Sequence, residues 1–415
     1  MRIIVWGINY APEVTGIAPC NAGLCEYLQA AGDDVRMLTT FAYYPQWRKS
    51  AGDRGRLYRT DLVNGVTVHR CWHYVPARVT SLRRIWHEFT FGLTSALRAL
   101  TLPRADVYVV VSPPLVLGAF AWLVTRLRRS RYVFHVQDLQ PDAAAGLGMV
   151  KPGRFLRMLY RLERFAYRRA VLVSGISAGM MKAFARKGLP AAQTYYFPNW
   201  SHAAEPVAAP PGAGTRVRAR HGVGEHDFVA FYSGNLGRKQ GLEVLIETAA
   251  LLAERPASVR PITLFVAGDG AARAELAAAV AARGLRNLLL RPLLDDADYR
   301  AMLATADLCL ITQAAGTGQF FFPSKLLRVL EAGRPVLAVA DADSELASAV
   351  TAGGFGRVLP PQNAAALAEE LIRLAAAPEI LAGWAARTSW VQVFAAPTVL
   401  GGYRRELEKL AAQKI

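Results

Sequence analysis

Two glycine-containing turns in the second half of the chain combine residue types that suit phosphate binding. In residues 232–242, YSGNLGRKQGL, a strand-like run leads into three glycines with Arg238 and Lys239 before a helix start. Backbone N–H groups at such a turn can approach an anion closely, and the helix N-terminus adds favourable potential. Residues 264–270, LFVAGDG, repeat the pattern and place Gly268 at a second turn. Together the two turns predict a diphosphate site in this half.

A third segment, residues 322–336 (FPSKLLRVLEAGRPV), adds a hydroxyl, an ammonium and a carboxylate to this set. Ser324 and Lys325 open a predicted helix, where both side chains and free N–H groups can converge on phosphate. Glu331 follows Ser324 by seven residues, about two helical turns, so it lies near the same face. Its carboxylate could accept hydrogen bonds from both ribose hydroxyls. The simpler alternative is that Ser324 caps the helix and Glu331 is exposed.

The first half of the chain offers candidates for catalysis near its own strand ends. His135 and Asp138 follow a run predicted to be a buried strand, and a strand end aimed into a cleft suits a catalytic side chain. Gly16 lies in the loop 7–16, between the first strand and a helix. The alternatives are a hydrogen-bonded core histidine, a capping aspartate and an ordinary strand-to-helix turn.

The elements that must position these residues alternate between short β-branched runs and longer amphipathic stretches, as in parallel α/β sheets. Residues 201–218 are rich in Ala, Pro and Gly, and they separate a first domain, 1–200, from a second, 219–396. Residues 397–415 are predicted to form a helix that packs back on the first domain. The predicted strands are residues 2–6, 34–39, 66–70, 107–111, 131–136, 170–174, 228–233, 262–267, 288–291, 308–311 and 335–338.

The ordered set of motifs resembles glycosyltransferase family 4, the retaining enzymes of the GT-B fold, and within it the exopolysaccharide and O-antigen branch. This resemblance covers nearly the whole chain and implies two Rossmann-like α/β domains facing across a cleft. Its marks are Gly7 to Glu13 with Thr15 and Gly16, Tyr43-Tyr44-Pro45 with Trp47, His135 with Asp138, Phe197 to Trp200, Ser233-Gly234-Asn235 with Gln240-Gly241, and Pro323-Ser324-Lys325.

The resemblance implies a role for each matching residue. Gly16 would face the donor diphosphate and the transferred sugar, and His135, with Asp138, would lie beside that sugar near the reacting centre. Glu331 would bind the ribose, and Leu293 would meet the base. The full set of expected donor-binding residues is Asn235, Arg238, Lys239, Gly268, Leu293, Ser324, Lys325 and Glu331.

Two departures from the family pattern affect these expectations. Asn235 and Gln240 stand where many relatives carry an arginine and a lysine, so Arg238 or Lys239 would have to meet the diphosphate charge. Pro323 stands where the first glutamate of the family's paired-glutamate motif is expected. Because that glutamate normally touches the donor sugar, the identity of the sugar is left open.

The implied reaction moves a sugar from a nucleotide diphosphate sugar with retention of the anomeric configuration. The resemblance suggests a same-face displacement without a protein nucleophile, in which positioning and charge stabilisation supply the catalysis. No cofactor and no metal are expected, and the acidic run 295–298 (DDAD) is interpreted as a helix start. Tyr43, Tyr44 and Trp47 would stack on the acceptor sugar, or they simply pack their loop.

Positive charge is concentrated in the first half of the chain. Residues 1–205 hold 27 Lys and Arg against 12 Asp and Glu, a balance of +15, out of +17 for all 415 residues. Such asymmetry predicts an anionic partner. No nucleic-acid-binding signature accompanies it. A lipid-linked saccharide acceptor on an anionic membrane accounts for the charge, with the enzyme cytoplasmic and peripheral on the inner face of the plasma membrane.

Two predicted basic amphipathic helices carry this membrane prediction. In one, Leu82, Ile85, Trp86, Phe89, Phe91 and Leu93 accompany Arg83 and Arg84; in the other, basic and apolar residues interleave around Arg154, Arg157 and Arg161. The alternative is a pair of core-facing helices with solvated basic sides. The apolar stretch 107–125 contains two prolines and predicts a strand, a turn and a helix. The four cysteines form no CxxC pair, which is typical of a reduced cytosolic protein.

Two other functions stay open on these residues. A nucleotide-sugar epimerase of the GT-B class would explain the missing first glutamate, although it needs no basic membrane face. A non-catalytic subunit of a polysaccharide-assembly complex would keep the fold and bind no nucleotide.

Overall fold

Two compact units make up the chain. The N-terminal unit comprises Met1–Asn199 with Pro397–Ile415, and the C-terminal unit comprises Trp200–Ala396. The computed structural model describes residues 1–14, 16–146, 153–201, 210–254, 260–317 and 325–413.

The N-terminal unit is built on an eight-stranded sheet in the order β3-β4-β2-β1-β5-β6-β7-β8, parallel except at β3. All six residues of β5 are buried, as expected for a parallel strand covered by helices on both faces. The strands are β1 (Arg2–Trp6), β2 (Asp34–Thr40), β3 (Tyr58–Val63), β4 (Val66–Cys71), β5 (Val107–Ser112), β6 (Arg131–Val136), β7 (Leu172–Gly175) and β8 (Thr194–Tyr196).

The C-terminal unit has a six-stranded parallel sheet in the order β11-β10-β9-β12-β13-β14. Its first strand, β9, lies between β10 and β12, so the strand order reverses there and the carboxyl ends of these strands form the expected ligand site. The strands are β9 (Phe228–Asn235), β10 (Ile262–Asp269), β11 (Leu288–Arg291), β12 (Leu308–Thr312), β13 (Val336–Val339) and β14 (Gly356–Leu359).

Helices follow most of the strands and complete two α/β units, which confirms the predicted fold class. They are α1 (Ala18–Ala30), α2 (Ser81–Thr101), α3 (Leu117–Arg128), α4 (Gln140–Gly146), α5 (Arg154–Arg169), α6 (Ala178–Arg186), α7 (Ala213–His221), α8 (Glu243–Ala253), α9 (Arg273–Ala282), α10 (Asp296–Thr305), α11 (Lys325–Glu331), α12 (Glu345–Gly353), α13 (Ala364–Ala376), α14 (Pro378–Ala385) and α15 (Ala396–Ala412).

The last helix, α15, is fastened to the N-terminal unit by polar and aromatic contacts. Arg404 Nε donates a hydrogen bond to Asp33 Oδ2 at 2.7 Å. The ring of Tyr403 stacks on that of Phe197, with centroids 3.7 Å apart. These contacts explain why the end of the chain belongs to the first unit rather than to the second.

Two expectations about irregular segments had different outcomes. Residues 107–125 form β5, a turn and most of α3, as predicted, and no helix in the described ranges is long and apolar enough to cross a membrane. The predicted linker 201–218 is wrong over its last six residues, because α7 begins at Ala213. Glycines in the left-handed region flank that helix, and its Val217 is buried in the core of the C-terminal unit.

Candidate functional site

At the carboxyl end of β9 lies the buried ammonium group of Lys325, the first residue of α11, which has no hydrogen-bond partner among the described residues. The Nζ atom of Lys325 lies 3.9 Å from the centroid of the Tyr232 ring. It also fills the space where a side chain on Gly234 would project, 3.2 Å from an ideal Cβ. Burial lowers the pKa of this ammonium to about 7, because no carboxylate compensates its charge. An anionic ligand would supply that compensation.

Glycine at the ends of β9 and β10 allows two backbones to approach each other. A Cβ on Gly268 would lie 2.0 Å from the carbonyl oxygen of Gly234, its register partner. A Cβ on Gly270 would lie 2.4 Å from Asn235 Oδ1, so the asparagine side chain is packed over this turn. Gly268 therefore shapes the strand end beside Lys325 through backbone packing.

The other predicted donor residues lie around this strand end with different degrees of exposure. Arg238 is largely exposed and pairs weakly with Glu275, at 3.9 Å. The carbonyl of Lys239 accepts a hydrogen bond from the N–H of Ala314 at 2.9 Å, which joins the turn after β9 to the turn after β12. Leu293 is 63% exposed after β11. Ser324 lies outside the described residues.

Glu331 is neither exposed nor free in this structure. Its Oε1 accepts a hydrogen bond from the Ser201 hydroxyl at 2.6 Å, and its Oε2 lies 3.5 Å from Arg328 Nη1. Its side chain is only 3% exposed. The predicted ribose contact would require this carboxylate to exchange at least one of these partners.

Three buried polar residues lie beside this site, of which the sequence singled out only Gln240, as a departure from the family pattern. Thr312 is the last residue of β12, Gln313 follows it, and Gln240 lies in the turn after β9. Within the described ranges, no hydrogen-bond partner is found for the Thr312 hydroxyl, the side-chain carbonyl oxygen of Gln240, or the two side-chain amide atoms of Gln313. Nothing in the local sequence marks Gln313, since its burial depends on elements distant in the chain.

In the N-terminal unit, His135 lies on β6 at the centre of a buried hydrogen-bond network. Its Nε2 accepts from Gln137 Nε2 at 2.8 Å, so its Nδ1 donates to the Ser174 hydroxyl at 3.0 Å. Gln137 also donates to Asn199 Oδ1 at 3.0 Å. Burial lowers the pKa of His135 to about 3, which keeps the imidazole neutral. Both ring nitrogens are occupied, as in the alternative of a hydrogen-bonded core histidine.

Gly16 and Asp138, the two other residues predicted near the reaction, lie in the loops that follow β1 and β6. Gly16 adopts φ +65°, in the left-handed region that favours glycine, and an ideal Cβ there would lie 3.8 Å from the Tyr44 ring. Asp138 is partly buried, and its backbone carbonyl accepts from the N–H of Gln140 at the start of α4.

The predicted acceptor residues are buried or partly buried in one loop. Glu13 accepts hydrogen bonds from the backbone N–H groups of Tyr43 and Tyr44, each at 2.8 Å. The Tyr43 ring is buried against His73 and His87, with centroids 5.0 and 4.7 Å away, and Trp47 packs on the same cluster. Tyr43 thus packs the loop, and it also lines, together with Tyr44, an open cavity of about 550 Å³.

The acidic run 295–298 forms a helix start, as predicted. The Asp295 side chain caps α10 by accepting from the N–H of Asp298 at 2.8 Å. Asp296 pairs with Arg300, and Asp298 pairs with Arg220 and lies close to His221. Each carboxylate of the run therefore caps the helix or pairs with a basic side chain.

One side of α2 exposes a continuous row of large apolar side chains. Spacings of three, four and seven residues place them on one helical face, which we call the α2 apolar face. Arg83 and Arg84 are exposed in the first turn of the same helix, and Arg84 pairs with Glu88, whereas Phe91, predicted to belong to this row, is wholly buried in the core. The members of the face are Leu82, Ile85, Trp86, Phe89, Leu93 and Leu97.

The second predicted membrane helix, α5, has a core side as well as a basic side. Leu156, Ala166 and Tyr167 are buried, as the alternative of a core-facing helix required. Phe155 and Met158 are exposed. Arg154, Arg157 and Arg161 are also exposed. The helix α3 joins α2 and α5, through Phe120 against Phe89 and Trp122 against Phe165.

Comparison with known proteins places both units in one enzyme family. Residues 15–200 match the family model of the glycosyl transferase 4-like domain, and residues 227–377 match that of the glycosyl transferases group 1. Over 374 residues, 88% of this chain and 90% of the other, the sequence is 33% identical to WcaI of Escherichia coli (strain K12), named as a glycosyl transferase of colanic acid biosynthesis.

Solved structures match the fold across the whole length. Sucrose-phosphate synthase from Thermosynechococcus elongatus superposes with a TM-score of 0.73 at 16% identity, covering 99% of both chains. Anabaena HepE, solved in complex with UDP, gives a TM-score of 0.70 at 18% identity and covers 99% of this chain and 100% of that one. The two parallel-sheet units are those of the GT-B fold, and the chain belongs to the family 4 glycosyltransferases.

Proposed function

We propose that this enzyme transfers a sugar from a UDP- or GDP-sugar to a polyprenyl-diphosphate-linked saccharide during synthesis of a cell-surface polysaccharide. The observation that carries the donor half of the proposal is the buried ammonium of Lys325 at the carboxyl end of β9, which no residue of the described ranges pairs by a hydrogen bond. The complexes of HepE with UDP and with UDP-glucose support a nucleotide-sugar donor. The name of WcaI supports a polysaccharide product.

We further infer that transfer proceeds with retention and without a bound metal. In this mechanism Lys325 stabilises negative charge on the leaving diphosphate, and a diphosphate oxygen takes the proton of the acceptor hydroxyl. The side chains of the one acidic run considered as a metal site are engaged in a helix cap and ion pairs, which supports this inference. His135, held neutral, contributes hydrogen bonding and shape rather than a charge.

The acceptor half of the proposal rests on the α2 apolar face. A row of six exposed apolar side chains on one helix marks an interaction surface, and Arg83 and Arg84 are exposed in the first turn of the same helix. Apolar residues with flanking arginines suit the interface of an anionic membrane. We therefore place the enzyme as a peripheral protein on the cytoplasmic face of the plasma membrane, where a lipid-linked acceptor is reached.

Nucleotide binding by a lysine variant tests the donor site. Lys325→Ala removes a charge-assisted contact of about 1.5–3 kcal/mol, so UDP or GDP affinity should fall roughly 10- to 150-fold by calorimetry. Lys409→Ala is the matched control, because that lysine is exposed and pairs only with Glu406. Equal affinities in Lys325→Ala and the wild type would remove Lys325 from the site. No nucleotide binding by the wild type would favour a non-catalytic assembly subunit.

A further inference from the structure

Four of the unpaired polar atoms in the C-terminal unit belong to uncharged side chains at the carboxyl ends of β9 and β12. They are Gln240 Oε1, Thr312 Oγ1 and the two amide atoms of Gln313. Buried side-chain polar atoms in native proteins are hydrogen-bonded in the large majority, so a cluster of unpaired ones requires an explanation. A ligand that is absent from the free protein provides one.

The backbone brings these three residues into adjacent segments. The Gln313 N–H donates to the carbonyl of Val339 at 2.8 Å, which holds it to the end of β13. The next N–H, of Ala314, donates to the carbonyl of Lys239 at 2.9 Å. A Cβ on Gly241 would lie 3.1 Å from the Ala314 Cα, so the turn that carries Gln240 lies directly against the turn that carries Gln313.

The chemistry of this cluster is complementary to that of Lys325. A primary amide offers two donors and a carbonyl acceptor, and a hydroxyl offers one donor and two acceptor lone pairs. Neither bears charge, so together they suit the hydroxyl groups of an uncharged polyol rather than a phosphate. The Lys325 ammonium lies beside Gly234, near the end of β9, and it would supply the positive charge that the diphosphate needs.

We propose that Gln313, together with Gln240 and Thr312, binds the hydroxyl groups of the transferred sugar in the nucleotide-sugar donor. The assignment rests on the proposed function, and it names the residues of this site that distinguish one sugar from another. The ribose also carries hydroxyls, but Glu331 is the residue predicted for it. A site built to hydrogen-bond hydroxyls discriminates strongly against sugars that lack one.

Substitution by leucine separates a ligand-binding role from a structural one. Gln313→Leu keeps a similar volume but removes the unpaired amide, so the free protein should become more stable. The melting temperature should rise by roughly 2–8 °C. If Gln313 were instead needed for folding, Gln313→Leu would lower the melting temperature. Gln240→Leu repeats the test in the adjacent segment, and the exposed Gln392→Leu serves as the control.

The experiment titrates the wild type and the three variants with UDP, UDP-glucose, GDP and GDP-mannose. For the nucleotide sugar that binds the wild type most tightly, Gln313→Leu should bind at least tenfold more weakly, while affinity for the matching nucleoside diphosphate stays within twofold. Unchanged sugar affinity, an equal loss with and without the sugar, or a lower melting temperature would overturn the glutamine assignment alone. A wild type that binds none of the four would overturn it together with the proposed function.

Discussion

At the residue scale, the burial of Lys325 makes donor binding depend on pH. Burial lowers the pKa of its ammonium to about 7, whereas a bound diphosphate stabilises the charged form. Above pH 7 the free enzyme must therefore take up a proton when the donor binds. We expect affinity for the preferred nucleotide sugar to fall by up to tenfold per pH unit above 7 and to level off below it.

Calorimetry from pH 6 to pH 9 in buffers of different ionisation enthalpy measures this proton uptake. Lys325→Arg is the informative variant, because a guanidinium stays charged throughout that range. Its affinity should be nearly independent of pH. If the wild type and Lys325→Arg show the same slope above pH 7, the proton is taken up elsewhere.

The candidate residues of the two units, each taken by itself, show how far the sequence specifies a site. The motif around residues 322–336 predicted Lys325, because its residue types and helix position are local properties. The hydrogen bonds of His135 come from Ser174 and Gln137, and the partners of Glu331 include Ser201, 130 residues away. Such partners are decided by tertiary packing, so the hydrogen bonds of His135 and Glu331 could not be predicted from the sequence around them.

At the element scale, two glycines of the C-terminal unit should respond in opposite directions to alanine. A Cβ on Gly268 would collide with the Gly234 carbonyl, so Gly268→Ala should destabilise the protein by roughly 1–3 kcal/mol and impair nucleotide binding. Gly383, in α14, has open space around it, and Gly383→Ala should stabilise by about 0.5–1 kcal/mol. Urea unfolding measures both; the same sign for the two variants would contradict this packing.

The α2 apolar face should control membrane binding. Replacing Leu82, Trp86 and Leu97 by serine removes three of its most exposed members, and we expect at least a tenfold loss of binding to anionic liposomes. Leu62→Ser is the matched control, since this leucine is equally exposed but lies on β3 rather than on α2. Sedimentation with vesicles measures the loss, and nucleotide affinity should not change.

The basic side of α5 is tested separately by replacing Arg154, Arg157 and Arg161 with glutamine. Loss of these charges should weaken binding to anionic vesicles and leave binding to neutral vesicles nearly unchanged. If both triple variants sediment with vesicles as the wild type does, these helices face something other than a membrane.

At the scale of the whole molecule, most of the strands could be predicted from the sequence, and the strands that were missed have a physical reason in common. All eleven predicted strands are present, and three were missed. Tyr58–Val63 is an antiparallel edge strand of half-exposed residues, Thr194–Tyr196 has only three residues, and Gly356–Leu359 contains a glycine and an arginine. Edge strands lack the continuous apolar runs that mark buried parallel ones.

The distribution of charge also belongs to this scale. The balance of +15 lies in residues 1–205, the part of the chain that carries the α2 apolar face and the basic side of α5. The remaining residues, which include the Lys325 site, are nearly neutral. Bulk positive charge therefore lies in the part of the chain proposed to meet the acceptor and the membrane, while the proposed donor site lies in the nearly neutral part and includes the buried ammonium of Lys325.

The most direct measurement is mass spectrometry of a polyprenyl-diphosphate-linked saccharide in anionic vesicles after incubation with the enzyme and a panel of UDP- and GDP-sugars. We expect one donor to add a single sugar residue to the lipid, and NMR of the product to show that the anomeric configuration of the donor is retained. Conversion of the nucleotide sugar into its epimer without any addition to the lipid would contradict the proposed transfer.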